Sequence, residues 1–188
     1  QALLLQQYIG EDGLSFKEGS GRDDGPALEQ EVLAFWREHG TFEQTLAMSE
    51  GRPRFSFNEG PPTANGTPGI HHVLARAFKD IFPRYKTMRG YYAPRKAGWD
   101  THGLPVEHEV EKLLKKQGRI ESYDKDEIEE KVGISEFTRL CRESVMTYIG
   151  DWEKMTERMG FWVNLDEAYY TLNNSYIESV WNLLSRIW

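Results

Sequence analysis

The stretch GPPTANGTPGIHHV, residues 60–73, places a loop rich in glycine and proline directly before two adjacent histidines. Before the loop, residues 55–58 alternate apolar and polar side chains, which predicts a short strand that ends where the loop begins. After it, apolar residues recur at spacings of three and four, which predicts a helix with one buried face: Ile70, Val73, Leu74, Ala77, Phe78 and Ile81. Strand, loop and helix therefore follow in order.

A second unit of the same kind comes next. Pro83 is expected to end or kink the first helix, and Tyr91 and Tyr92 begin an extended segment that leads into GWDTHGLP, residues 98–105. A helix is predicted from Pro105 to Gln117. This βαβα order predicts an α/β fold with a parallel sheet and crossover helices. Functional loops in such a sheet lie at the carboxyl ends of the strands, and both loops follow strands.

Further helices are predicted on either side of these units. Pro26 opens a helix that stops at Gly40, and residues 118–134 form either an exposed connection or a short acidic helix. Apolar residues over 135–159 recur at helical spacing, and Gly160 ends this long helix. Ser175 and Glu178 have the spacing of a capping box, which predicts a last helix through Trp188.

Size and composition indicate a soluble globular protein. The chain has 188 residues, of which 39% are hydrophobic and 28% charged, and it has no apolar run of the length that spans a membrane. Residues 1–25 lack the basic start and cleavage site of a secretory signal and are read as an amino-terminal extension. The single Cys141 fits a reducing compartment. We therefore expect a cytoplasmic location.

Charge is distributed unevenly along the chain. The net charge is -7, but residues 76–96 hold seven basic residues against Asp80, about +6, which leaves about -13 elsewhere. Such a run indicates either a solvated helix face or a surface that lies beside a polyanion. The sequence alone leaves both interpretations open.

The loop at residues 60–69 suits phosphate binding. A helix amino terminus has unpaired N–H groups and a partial positive charge, so a glycine-rich loop that enters a helix is a natural phosphate site. It has neither the P-loop spacing nor the dinucleotide fingerprint, so other groups must hold the phosphate. The helix dipole disfavours a histidine cation in the first turn, so His71 and His72 would act as neutral N–H donors.

Two other interpretations of the histidine pair stay open. Isolated histidines commonly pack in a core or face solvent, with no chemistry of their own. A metal site would need further ligands, for which His102 and Glu107 are candidates, but the ligand spacing of known zinc motifs is absent. We therefore expect no zinc or other metal site in this segment.

The segment GPPTANGTPGIHH, followed by RYKTMRGYYAPRKAGWDTHGLPVE, resembles the amino-terminal half of the catalytic domain in the class I isoleucyl-tRNA synthetase family. That family carries a HIGH motif, HxGH. Here Gly69 stands where the first histidine is expected, His71 stands at the glycine position, and His72 is in place. The resemblance covers residues 26–188. It implies the first half of a Rossmann-like catalytic domain with a helical connective segment, truncated before the editing insertion.

The resemblance also implies an activity and its partners. It implies activation of isoleucine with ATP and Mg²⁺ to isoleucyl-adenylate, and transfer to isoleucine tRNA by a monomeric enzyme that needs no membrane. A non-catalytic adenylate- or tRNA-binding fragment and a structural α/β module are the alternatives. KMTER, residues 154–158, lacks the second lysine of the KMSKS signature and is read as structural.

Site residues follow from the resemblance by position. His71 and His72 would contact the phosphates of ATP. In the amino-acid pocket, Asp100 would pair with the α-ammonium group beside Pro61 and Trp99, although Asp100 is also a candidate helix cap. The residues expected around ATP are Gly60, Thr63, Asn65 and Gly69, although turn formation accounts equally well for the glycine and the asparagine.

Overall fold

The computed structural model describes residues 25–57 and 59–188. All but the last residue of the expected amino-terminal extension, 1–25, therefore lies outside the described residues. The chain divides into two compact units, residues 1–39 and 40–188. The described part of the first unit is helix α1, Gly25–His39, which confirms the helix predicted from Pro26 to the stop at Gly40.

The second unit contains both helices and strands. Its parallel sheet pairs β1 with β2 in a register that joins Lys96 to Asn164 and Gly98 to Tyr169. This arrangement confirms the α/β fold with parallel strands and crossover helices. The elements in chain order are α2 Thr41–Ser49, α3 Ile70–Met88, β1 Lys96–Trp99, α4 Leu104–Lys116, α5 Lys125–Lys131, α6 Ile134–Arg158, β2 Asn164–Tyr170 and α7 Asn174–Ile187.

The strand predicted at residues 55–58 is not formed as a regular strand, and the chain there makes only isolated bridges to its neighbour. This extended segment begins at an isolated parallel bridge between Arg54 and Tyr92, and a second bridge joins Thr63 to Asp100. Asn58 lies outside the described residues. Prolines at positions 53, 61 and 62 lack an N–H group, so a continuous ladder of hydrogen bonds cannot form there.

This extended segment and β2 lie on opposite edges of β1. The backbone of Asp100 bonds to Pro62 and Ala64, whereas the carbonyl of the preceding Trp99 accepts from Thr171 N at 3.1 Å. Successive residues of a strand direct their backbone groups to opposite edges. The order across the sheet is therefore the segment at residues 54–63, then β1, then β2.

The buried core joins the elements that surround the loop. One cluster contains residues from the loop, β1, α4 and α6: Ala64, Trp99, Val106, Val145, Ile149 and Trp152. A second cluster packs α4 against α5: Val110, Leu114, Ile120 and Ile128. The long helix and its apolar stripe are confirmed, and KMTER lies inside α6 with Thr156 fully buried.

Helix α3 differs from its predicted packing. Ile70, Leu74, Phe78 and Ile81 were expected to be buried, but each is more than half exposed. The apolar periodicity is real, but no described residue covers this face. Pro83 does not end the helix either, since α3 continues through it to Met88. A tolerated interior proline loses one backbone hydrogen bond but leaves the neighbouring turns intact.

Two local predictions also need correction. The last helix begins at Asn174 and has Asn173 as its N-cap residue, without a side-chain capping bond, so the capping box at Ser175 and Glu178 is wrong. The predicted elements did not include β2 or α2. Half-buried β2, with the sequence NLDEAYY, has no strict alternation of apolar and polar residues that would identify a strand.

Gly98 is required where β1 passes beneath Tyr169. A Cβ atom added at Gly98 would lie 2.3 Å from Cε1 and Cζ of the Tyr169 ring. The ring stacks on Tyr176 at 5.8 Å, and its hydroxyl donates to the carbonyl of Glu59 at 3.3 Å. These contacts hold the ring in place, so it cannot move aside freely.

We expect Gly98→Ala to lower the free energy of unfolding by about 1 to 3 kcal/mol, because the added methyl group displaces a packed ring. Chemical denaturation measures this loss. Gly150→Ala is the matched control, since a Cβ atom there meets nothing within 4 Å inside α6. That variant should be neutral or more stable by up to about 1 kcal/mol. Equal stability of the two variants would contradict the assigned packing.

Candidate functional site

The loop at residues 60–69 is anchored at two points. Asp100 N donates to Pro62 O at 3.0 Å, and Ala64 N donates to Asp100 O at 3.0 Å, which fixes the start of the loop to the end of β1. Further along, Trp152 Nε1 donates to Gly66 O at 2.9 Å. The sheet and α6 therefore hold the loop together, as a preorganised binding site requires.

The carboxylate of Asp100 stands at the carboxyl end of β1. Its Oδ2 accepts from the Thr63 hydroxyl at 2.9 Å, and its Oδ1 accepts from the Thr171 hydroxyl at 3.4 Å. A carboxylate has about four acceptor positions, so two such bonds leave capacity for a cation. Helix α4 has Gly103 as its N-cap residue, so the interpretation of Asp100 as a helix cap is wrong.

Thr171 links Asp100 to the GWDTHGLP segment, and the sequence analysis missed it. Its hydroxyl oxygen accepts from Thr101 N at 2.9 Å and lies 2.6 Å from His102 Nδ1. A hydroxyl has a single proton, so when Thr171 donates to Asp100, His102 must donate through Nδ1. Thr171 follows β2 directly, and a prediction of that strand would have been the signal.

His72 has a defined tautomer. Gly69, the N-cap residue of α3, donates its backbone N–H to His72 Nδ1 at 2.9 Å. The neutral imidazole must therefore carry its proton on Nε2, where it can donate to a ligand. The edge of the ring packs against Trp152, with centroids 4.6 Å apart. Burial, the adjacent His71 and the positive charge of Arg76 lower the pKa of His72 below its ordinary value.

The side chain of His71 lies close to Gly69. The exposed His71 ring stacks obliquely on His72, with centroids 3.8 Å apart. A Cβ atom added at Gly69 would approach Cε1 of His71 at 3.0 Å. The His71 imidazole thus stands beside the space that a side chain at position 69 would enter. Two imidazoles are retained within the first turn of α3.

The remaining predicted residues lie on or beneath the loop. Gly60 is exposed, and its carbonyl accepts from Lys79 Nζ at 2.7 Å. Pro61 and Asn65 are half-buried on the loop. Trp99 is fully buried in the core directly before Asp100, so it supports the site from within.

A buried ion pair beneath the loop also escaped the sequence analysis. Arg76 donates from a terminal guanidinium nitrogen to Glu59 Oε1 at 3.1 Å, and both side chains are almost completely buried. Lys79 approaches the same oxygen at 3.4 Å. The basic run at residues 76–96 is thus not simply a solvated face. The available signal was an acidic residue directly before the loop and a basic residue two turns into the helix.

Residues 25–57 and 59–188 include no group of three or more histidine, cysteine, aspartate or glutamate side chains placed to hold a metal ion. Cys141 is a free thiol, and burial raises its pKa to about 11. Across those same residues, no helix is both long and apolar enough to cross a membrane.

Comparison with known proteins shows that the chain matches a family. Residues 31–188 match the family described as tRNA synthetases class I (I, L, M and V). The chain is 56% identical over 167 residues to the isoleucine–tRNA ligase of Thermobifida fusca, covering 88% of this chain and 15% of that protein. It is 55% identical over 168 residues to the Thermus thermophilus isoleucine–tRNA ligase, with 88% and 15% covered. The chain therefore spans only about a sixth of the length of these relatives.

Among solved structures, the chain resembles a LeuRS of Agrobacterium radiobacter in a ternary complex with tRNA and LeuAMS. The TM-score is 0.59 at 20% sequence identity, with 84% of this chain and 18% of that chain covered. At this identity the likeness concerns the fold alone. It agrees with the parallel α/β arrangement of the second unit.

Proposed function

Since the chain belongs to the class I tRNA synthetase family, we propose that it contributes the first half of a catalytic domain that activates isoleucine with ATP and transfers it to isoleucine tRNA. The observation that carries this proposal is the placement of one loop, residues 60–69, between the Asp100 carboxylate and the His72 imidazole. An acceptor for an ammonium group and a donor for phosphate thereby flank one segment.

The first reaction joins isoleucine to AMP. The amino-acid carboxylate attacks the α-phosphorus of ATP, a C–O–P bond forms, and the bond to the pyrophosphate oxygen breaks. The carboxylate is already a nucleophile, so no general base is needed. The protein then contributes alignment of the reactants and stabilisation of the charge that develops on the phosphate oxygens.

The proposed roles follow from the donors and acceptors on the two sides of the loop. Asp100 accepts from the α-ammonium group of isoleucine beside Pro61, while Trp99 supports this pocket from the core. His72 donates from Nε2 to a phosphate oxygen, and His71 adds a second imidazole in the same turn. Backbone and polar groups of the loop surround the adenylate at Gly60, Thr63, Asn65 and Gly69.

Magnesium would enter this site with ATP. The described residues hold no acidic cluster for an ion, and Mg²⁺ is commonly bound through substrate phosphates with few protein ligands. The cytoplasmic location and the monomeric state remain predictions of the sequence, as does the partnership with isoleucine tRNA.

Exchange of labelled pyrophosphate into ATP tests the proposal on the full-length protein that contains these residues. We expect exchange that depends on isoleucine and is much weaker with leucine. Binding of a non-hydrolysable isoleucyl-adenylate analogue without exchange would instead favour a non-catalytic adenylate-binding role. Absence of both binding and exchange would favour a structural α/β module.

A further inference from the structure

Arg76 is buried beneath the candidate site. It lies on α3, one helical turn after His72, and is 2% exposed. Its guanidinium pairs with Glu59 and lies 4.9 Å from the ring centroid of Phe161, 5.8 Å from that of Trp99 and 6.0 Å from that of Trp152. This cation thus contacts the loop entrance, β1 and α6, together with the segment between α6 and β2.

Three of these partners, Glu59, Trp99 and Trp152, each support a different functional group. Glu59 directly precedes Gly60, where the loop begins, and Trp99 directly precedes Asp100. Trp152 contacts the ring of His72 and also binds the loop carbonyl at Gly66. A displacement of Arg76 would therefore reach the loop, the carboxylate and the imidazole together.

We propose that Arg76 is a positioning residue of the site, which fixes the loop, Asp100 and His72 in one arrangement through Glu59, Trp99 and Trp152. The inference rests on the proposed function, because a positioning role requires a reaction. Lys79 completes the arrangement, since it bonds to both Glu59 Oε1 and the Gly60 carbonyl.

The chemistry of the pair favours positioning over simple stabilisation. Among the described residues, Glu59 Oε2 and Arg76 Nε are buried without a hydrogen-bond partner. Desolvation opposes burial of both charges, and apolar residues often replace such pairs without loss of stability. What the pair supplies is position, because the planar guanidinium donates to the carboxylate while it also lies over aromatic rings, a combination that a lysine ammonium group does not reproduce.

Arg95 provides a matched control. It is 3% exposed, pairs with Asp80 at 3.6 Å and lies 5.6 Å from the ring centroid of Phe42. Its Nε is likewise buried without a hydrogen-bond partner in the described part of the chain. Its other bonds go to Thr87 and the carbonyl of Trp162, away from the loop. A general effect of disturbing a buried arginine would appear equally at both positions.

The test compares Arg76→Lys with Arg95→Lys in the full-length protein, below the melting temperature of each variant. We expect Arg76→Lys to lower kcat for isoleucine-dependent pyrophosphate exchange by about 10- to 100-fold, with a smaller change in KM. Arg95→Lys should lower only the melting temperature. Equal kcat values for the two variants would overturn the positioning role. Lack of exchange by the unmodified protein would instead overturn the proposed function, and this inference with it.

A second comparison separates placement from stability. Arg76→Met alone leaves the buried Glu59 carboxylate with only its longer contact to Lys79, at 3.4 Å, so it is combined with Glu59→Gln. The double variant should regain much of the lost melting temperature but not the lost kcat. Recovery of both would show that the pair is only structural.

The pH dependence of kcat provides an independent readout in the double variant. The charges that act on His72 are His71 and Arg76, both on α3, whereas α6 contributes the uncharged ring of Trp152. Loss of the Arg76 cation should raise the pKa of His72 and move the acid limb of the profile to higher pH. Arg76→Lys keeps the charge and should leave the limb in place. An unmoved limb in the double variant would contradict the placement of Arg76 behind His72.

Discussion

Asp100→Ala is expected to weaken isoleucine activation strongly while ATP binding is largely retained. The carboxylate is held by the hydroxyls of Thr63 and Thr171, at 2.9 and 3.4 Å, and would lose its role as the acceptor for the α-ammonium group. Removal of one partner from a buried charge pair costs about 2 to 5 kcal/mol. The loss in kcat/KM for isoleucine should therefore be about 30-fold or more.

Calorimetry with ATP and with isoleucine separates the two affinities for this variant. Asp166→Ala is the matched control, because Asp166 is an exposed aspartate on β2 and should change neither affinity. Equal loss of both affinities, together with a lower melting temperature, would assign Asp100 a structural role.

His72→Ala should slow adenylate formation more than it weakens isoleucine binding. The proton is on Nε2 because Nδ1 accepts from Gly69 N, and the proposed contact of Nε2 with phosphate should strengthen as charge develops. Loss of one preorganised donor to a developing oxyanion typically costs about 100- to 1,000-fold in rate. Pre-steady-state measurement of adenylate formation reports this step.

A control for this substitution is provided by His108. It is an exposed histidine on α4 that bonds to Glu111 at 2.9 Å, so His108→Ala should leave the rate unchanged. An unchanged rate in His72→Ala would return both histidines to a packing role.

The pKa of His72 also predicts how the rate depends on pH. Burial, His71 and Arg76 lower this pKa below the ordinary value of 6.5, so the neutral donor persists as the pH falls through that value. The rate should therefore be maintained above pH 6.5 and fall only at more acidic pH, because protonation of Nδ1 breaks its bond with Gly69 N, which orients the Nε2 donor. The same shift affects stability. As the pH falls below 6.5, His72 binds its proton more readily in the unfolded chain than in the folded one, so the free energy of unfolding decreases.

Local patterns predicted the helices α4 and α6, because apolar spacing and terminal glycine or proline residues lie within a few positions of each other. The same logic failed for Ile70, Leu74, Phe78 and Ile81, whose spacing correctly predicts a helix but does not say which face is covered. It also failed for β2, where a half-buried edge strand needs no strict alternation. Periodicity reports the shape of an element, whereas burial depends on what packs against it.

The candidate site likewise contains some residues that local patterns identify and others that they do not. The loop at residues 60–69, the histidine pair and Asp100 are recognisable in the sequence because they belong to contiguous segments. The hydroxyl of Thr171 that supports Asp100 comes from 71 positions away, and the Trp152 indole that binds Gly66 comes from 86 positions away. Local sequence patterns do not encode such distant pairs, so only the packing of the chain reveals them.

The linear sequence thus predicts most of the helices and identifies the family, because these depend on residue types at short spacing. Only the folded chain decides which nitrogen of His72 carries the proton, since that depends on how the Gly69 N–H is directed. Folding alone also brings Glu59 to Arg76 and encloses the pair among aromatic rings. The tautomer of His72 and the burial and pairing of Glu59 and Arg76 depend on residues that come together only when the chain folds.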